Sequence, residues 1–161
     1  MSISFSTSEL INIAIDIERR GMAFYDVMSQ STENAEAGEL FRHLSEMERQ
    51  HVQIFQDMLG EAGKYQPSES DTEEYAAYLK ALVDSAVFTD DLITSGMATD
   101  IDSDIEALQL AIGAEKDAIL FYYLMREIMP ARTHPIVNKI TTEEKLHLRQ
   151  LSEVKKRLTT I

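Results

Sequence analysis

The 161-residue sequence predicts an all-α protein: a four-helix bundle made of two helical hairpins, with a long helical crossover between the second and third helices. Three observations predict it. Four long stretches place apolar residues at a period near 3.6. Capping residues, glycines and a proline fall between those stretches. The first half of the chain also reappears in the second at a displacement of 96 to 97 positions. At this length one domain with a substantial core is expected over 1–161.

The first helix is expected at about 7–30. Ser6, Thr7 and Ser8 offer N-caps, and Leu10, Ile11, Ala14, Ile15, Ile17, Met22, Phe24, Tyr25 and Met28 form a broad apolar face. A loop at 31–34 follows, with Asn34 or Thr32 as the next cap. The second helix, about 35–62, carries an inner stripe of Leu40, Phe41, Leu44, Met47, His51, Ile54, Phe55, Met58 and Leu59, and Gly60 and Gly63 end it. So short a connection makes the two helices antiparallel.

Residues 64–104 break this rhythm. Gln66 to Asp71 reads as loop, Thr72 to Ala86 as a short helix with Tyr75, Tyr78, Leu79, Leu82 and Val83 inward, and Phe88 to Met97 as a second short helix. Such a crossover lets the third helix start at the same end as the second and run parallel to it. Asp100, Asp102 and Asp104 do not make a calcium loop, because an EF-hand beginning at Asp100 needs Gly and Glu where Ile105 and Ala111 stand. Asp102 or Ser103 is instead the cap of the third helix, about 104–129, which stops at Met129-Pro130. Pro135 suits the first turn of the fourth, about 135–158, and Lys155, Lys156 and Arg157 suit its C-terminal dipole.

Within the repeat lie residues with metal-ligand chemistry. Glu48-Arg-Gln-His51 and Glu144-Lys-Leu-His147 are two E-x-x-H pairs 96 positions apart. On a helix, residues three apart share a face, so each pair can grip one ion. Glu18 and Glu115, 97 apart, each stand inside an apolar pattern, and Ala14, Ile15, Phe24, Tyr25 and Met28 match Ala111, Ile112, Phe121, Tyr122 and Met125 at the same displacement. A carboxylate aimed into a core costs several kcal/mol unless it is paired or bound to a metal. Taken singly, each Glu could pair with Lys or Arg at the edge of its face; six in matching order point to one site. Tyr25 and Tyr122 lie two turns beyond Glu18 and Glu115, where they either pack in the core with the hydroxyl satisfied, or hydrogen-bond a ligand or carry an oxidising equivalent. The repeat favours Glu48 and Glu144 as ligands over their neighbours Glu46 and Glu143, whose replacement is expected to matter much less. His43 and His134 have no repeat partner and are expected at the surface.

Composition removes several function classes. A formal net charge of −13 argues against nucleic acid or an anionic membrane as partner. The absence of cysteine excludes disulfides, thiolate zinc, iron–sulfur clusters and a rubredoxin-type centre within this sequence. No apolar run reaches the ~20 residues of a membrane span, nor does the N-terminus look like a signal peptide, so a cytoplasmic protein is expected.

One Glu from each of two helices plus Glu-x-x-His from each of the other two is the ligand pattern of di-iron carboxylate bundles. Over essentially its whole length the chain resembles the ferritin-like superfamily, and within it the rubrerythrins. The resemblance is carried by residues 14–25 around Glu18, 46–51, 114–122 around Glu115, and 143–147. It implies two iron ions, with manganese or a mixed pair as alternatives. Glu48 and Glu144 would be bridging ligands, Glu18 and Glu115 terminal ligands, and His51 and His147 would give one nitrogen per ion. It further implies an oxidoreductase reducing peroxide or dioxygen, supplied by an external electron donor and assembled as a homodimer. The crossover residues Tyr75, Tyr78, Leu79, Val87 and Phe88 exceed what one bundle flank can cover, which also suggests a dimer. Two departures are read: Ala118 stands where rubrerythrins carry a further Glu, and no rubredoxin domain is expected within this cysteine-free sequence. Alternative functions are ferritin-type iron oxidation and storage, or a helical interaction module with a vestigial site.

Overall fold

The computed structural model describes residues 6–62, 73–87, 101 and 103–160. The described residues form five α-helices: α1 (Thr7–Ser31), α2 (Ala35–Gly60), α3 (Glu73–Asp84), α4 (Asp104–Ile128) and α5 (His134–Thr159), with a 3-10 turn at Ala131–Thr133 before α5. No strand occurs among them. The loop expected at 66–71, the helix expected at 88–97, Asp102 and the side chains of Tyr75 and Phe88 lie outside the described residues.

Local chemistry sets the boundaries. Side-chain oxygens of Ser6, Asn34 and Ser103 accept from the N–H groups of Glu9, Ala37 and Glu106, capping α1, α2 and α4. Pro135 falls in the first turn of α5, where its missing N–H costs nothing. His134 is half-buried rather than a free surface residue, with Nε2 lying 3.0 Å from the carbonyl of Met129 just past the end of α4. His43 is exposed.

The hairpins α1–α2 and α4–α5 pack face to face through α1 against α4 and α2 against α5. Their polarity is pinned at two ends. Asp104, in the first turn of α4, accepts from the backbone N–H groups of Glu33 (3.3 Å) and Asn34 (2.9 Å) in the α1–α2 loop. Arg157, in the last turn of α5, pairs with Glu36 in the first turn of α2. So α4 begins where α2 begins, parallel to it as the crossover length implied.

The apolar core is split in two. Leu10, Ile11, Phe55, Phe121, Tyr122, Met125 and Ile140 belong to one cluster, and Phe24, Tyr25, Phe41, Leu44, Leu108 and Leu151 to the other. Between them along every long helix sits one of the four candidate glutamates: Glu18, Glu48, Glu115 and Glu144.

The short helix α3 packs on α4. Leu79 is buried and Leu82 and Val83 are partly buried, as expected, but Tyr78 is 47% exposed and not inward. Ala76, one turn before Leu79, takes the buried position, because the face presented to α4 runs through 76, 79 and 83. Val87 is also covered: its N–H donates to Asp117 Oδ2 at 2.8 Å, and its methyl sits over Gly113, where an added Cβ would come within 3.0 Å. Leu79 is thus fully covered and Val87 partly covered within the chain.

Asp104 alone satisfies two loop N–H groups that belong to the other hairpin. Asp104→Ala is expected to cost about 1–2 kcal/mol and to lower the thermal midpoint by roughly 3–6 °C, read by calorimetry against an unchanged helical circular dichroism spectrum.

Candidate metal centre

Glu18, Glu48, His51, Glu115, Glu144 and His147 converge at mid-bundle, each no more than 3% exposed. The E-x-x-H spacing acts as the helix geometry requires. Both histidines direct Nδ1 inward, with their rings 5.9 Å apart and 24° from parallel. His51 Nδ1 lies 2.8 Å from Glu144 Oε1, 3.4 Å from Glu18 Oε2 and 3.6 Å from Glu48 Oε2. His147 Nδ1 lies 3.3 Å from Glu144 Oε2 and 3.7 Å from both Glu48 Oε1 and Glu115 Oε1. Glu48 and Glu144 each offer one oxygen to either side.

Two overlapping groups result, Glu18–Glu48–His51–Glu144 and Glu48–Glu115–Glu144–His147, within each of which the ligand atoms lie within 4.8 Å of one another. Glu48 and Glu144 belong to both. The repeat seen in the sequence is thus a pseudo-two-fold relation between two half-sites.

The electrostatics call for a cation. Burial pushes the Glu115 carboxyl well up, and the facing Glu144 pushes it further. Burial and the charge of Glu18 raise Glu144. Burial alone would lower His51, but the close carboxylates of Glu144 and Glu18 lift it to about 11. His147 is lowered, chiefly by burial, despite the charge of Glu115. His51 Nδ1 and Glu144 Oε1 are buried and neither makes a hydrogen bond, although they face each other at 2.8 Å. Two lone-pair-bearing atoms so close require a proton or a metal ion between them. Oxygen and imidazole donors without sulfur fit iron or manganese, so the residues present fit a di-metal site.

Tyr25, on α1, donates its phenolic proton to Glu115 Oε1 at 2.6 Å, and Tyr122, on α4, donates to Glu18 Oε1. Each tyrosine thus holds the glutamate of the opposite hairpin. Burial raises both phenols well above 10, and the adjacent carboxylates raise them further, so both remain protonated donors. Both rings pack in the apolar core, as one reading of the sequence had it, and their hydroxyls are satisfied by candidate ligands.

Glu46 is an exposed partner of Arg49, as expected of a residue outside the site. Glu143 is not: its Oε2 lies 2.7 Å from His51 Nε2, reaching across from α5 to α2. Glu143 thus stands in contact with a candidate ligand, although the sequence set it aside together with Glu46. The repeat matches ligands to ligands and says nothing about what reaches across between helices, so periodicity could not find it.

A cavity of about 50 Å³ opens onto the centre, enough for two or three water-sized molecules at roughly 15 Å³ each. Its lining includes Glu18, Glu48, Glu115, Glu144 and Tyr25, together with Gly21 of α1, Leu82 and Val83 of α3, and Ala118 and Phe121 of α4. Ala118 therefore leaves apolar space beside the cluster where a longer acidic side chain would place a further carboxylate.

The sequence model of the rubrerythrin family matches residues 9–155. Among solved structures, a ferritin-like diiron-carboxylate protein of Thermotoga maritima superposes with a TM-score of 0.71 at 28% identity, over 97% of this chain and 98% of that one. A DUF305 fragment of Deinococcus radiodurans shares the fold, with a TM-score of 0.65 at 15% identity over 98% and 99% of the two chains. No curated protein matches the chain.

The raised groups give the metal-free protein a definite pH response. His51 is charged when folded up to about 11 but only below 6.5 in the unfolded chain. Glu115 and Glu144 likewise hold protons above the ordinary 4.5. The folded state thus binds more protons, and stability falls as pH rises. The lowered His147 acts oppositely, but only below its ordinary 6.5. Between about pH 7 and 9 the metal-free midpoint should fall, and the gain on adding metal should grow as those protons leave the site. Calorimetry at constant ionic strength checks both trends; a metal-free midpoint rising over this range contradicts the protonation pattern.

Proposed function

The chain belongs to the rubrerythrin family, and on that premise we propose that it is a non-haem di-iron oxidoreductase that reduces peroxide or dioxygen in oxidative-stress defence. The observation that carries this reading is the pair of four-residue groups sharing Glu48 and Glu144. One group would hold each ion, with Glu48 and Glu144 as bridges, Glu18 and Glu115 as terminal ligands, and His51 and His147 supplying one nitrogen apiece. Four carboxylates offset the charge of two divalent ions. Iron is the metal proposed from the family, with manganese as the other metal that the oxygen-rich donor set suits.

When bound, two adjacent irons supply two electrons to an oxidant without releasing a radical. The chain's own residues do the rest. The apolar walls of the cavity admit a small neutral molecule and keep bulk water away from the carboxylates. Tyr25 and Tyr122 fix the rotamers of Glu115 and Glu18, and Tyr25 holds a proton in the cavity lining. Reduction of peroxide to two waters takes up two electrons and two protons. With no cysteine for a second redox centre in this sequence, an external donor is proposed to return the electrons.

The test is anaerobic loading with ferrous iron, then mixing with peroxide or dioxygen. The wild type should bind two irons per chain and oxidise them with peroxide within the mixing experiment. Glu48→Ala should lose one or both irons while keeping its helical content, since truncation relieves carboxylate repulsion. Tyr25→Phe should keep both irons and slow oxidation several-fold. Retention of two irons by Glu48→Ala would sink the assignment.

A homodimer is proposed as the assembly. Leu120, Tyr123 and Leu146 are exposed apolar side chains on α4 and α5, and Lys145 Nζ lies 5.1 Å over the Tyr123 ring, so α4 and α5 present them side by side. Light scattering should give twice the chain mass, and Tyr123→Glu should shift it to monomer. A 24-subunit particle would favour iron storage instead.

A further inference from the structure

The two half-sites are related by the repeat, yet their histidines are not supported alike. His51 is gripped at Nε2 by Glu143 at 2.7 Å. Glu143 immediately precedes the shared ligand Glu144 on α5 and crosses to α2. The equivalent support for His147 would come from the residue preceding Glu48 on α2, and that residue is Met47. A thioether is a weak acceptor and carries no charge.

A carboxylate on the outer ring nitrogen does two things. It keeps a proton on Nε2, so that the proton an ion displaces is the one on Nδ1, and it holds the ring in the orientation the ligand needs. His51 Nδ1 already lies among Glu18, Glu48 and Glu144 without a hydrogen bond. Glu143 is 27% exposed at its side chain, so it is reachable by solvent while its partner is not. The other ligands do not share this inequality: Tyr25 and Tyr122 support Glu115 and Glu18 reciprocally, and Glu48 and Glu144 each serve both sides.

We propose that Glu143 is a positioning residue that makes the centre asymmetric, so that the ion held by Glu18, Glu48, His51 and Glu144 binds first and more tightly than the ion held by Glu48, Glu115, Glu144 and His147. The proposal rests on the two-ion reading above. The order of filling follows from which imidazole has a carboxylate on its outer nitrogen: Glu143 holds His51 there, whereas the repeat puts Met47 at the equivalent position for His147. Residues supporting a metal-bound histidine typically alter affinity 10–100-fold, which sets the size of the difference.

The experiment uses the full-length metal-free chain and cobalt(II) alone. Crystals are grown with one equivalent of cobalt per chain and the anomalous occupancies at the two positions compared; calorimetric titration supplies the affinities. The wild type should show two binding steps at least about tenfold apart, with cobalt predominantly beside His51. Glu143→Gln should weaken the first step by ~10–100-fold, leave the second within a factor of about two, and bring the occupancies toward equality. Glu143→Asp should recover part of the difference, and Met47→Glu should tighten the His147 position alone. Circular dichroism of the metal-free variants, with helical content unchanged from wild type, separates this role from a folding defect. Equal occupancy in the wild type, or a Glu143→Gln protein in which both steps weaken alike, overturns the asymmetry while leaving two bound ions intact. Binding of no cobalt overturns the two-ion reading and this one with it.

Discussion

Six ionisable side chains sit together in the middle of an apolar bundle, and the rest of the fold is arranged to tolerate them. Four carboxylates cannot all be charged at this separation without cations among them. In the metal-free protein the relief is partial: Glu115 and Glu144 are pushed toward the neutral acid, and His51 is held as a cation. Protons are thus poor substitutes for what two divalent ions would supply. This explains why the apolar core is interrupted rather than continuous, with one cluster above the layer of glutamates and another below it.

Duplication solves the positioning problem economically. A single helical hairpin offers one Glu on its first helix and one E-x-x-H on its second, which is half a centre. Two such hairpins back to back complete it, and the reciprocal tyrosine–glutamate bonds lock them across the α1–α4 contact. Neither tyrosine hydroxyl has its partner within its own hairpin. The hydrogen bonds that fix the ligands are the same bonds that hold the halves together, so site geometry and bundle packing are coupled.

Departures from the repeat are where individual character enters. The crossover breaks the symmetry by laying α3 over α4, and α3 supplies Leu82 and Val83 to a cavity wall for which the other side of the bundle has no counterpart in sequence. Asp117 accepts from the Val87 N–H and secures the end of that cover; its burial raises it, and the bond holds it back in part. Glu143 breaks the symmetry a second time, by touching one histidine and not its twin.

Much of this was legible in the sequence because it depends on local periodicity. Helix boundaries followed from caps such as Ser6, Asn34 and Ser103, and the six candidate ligands from a repeat that needs only counting. Buried glutamates stand out in an apolar stripe for a physical reason, the cost of desolvating charge. What the tertiary structure alone decided involves residues that meet across helices at distances set by packing. Glu143 reads as an ordinary solvent-facing residue beside a ligand; only the α2–α5 contact brings its carboxylate to His51. Tyr25 packs in the core as its period allows, but what satisfies its hydroxyl, Glu115 ninety positions away, is a matter of packing. Tyr78 looked inward by period, but a twelve-residue helix lying on a flank has one narrow buried edge, and that edge passes through Ala76 and Leu79. Periodicity specifies which face of a helix is apolar, whereas what stands opposite that face is settled by the packing of the other helices.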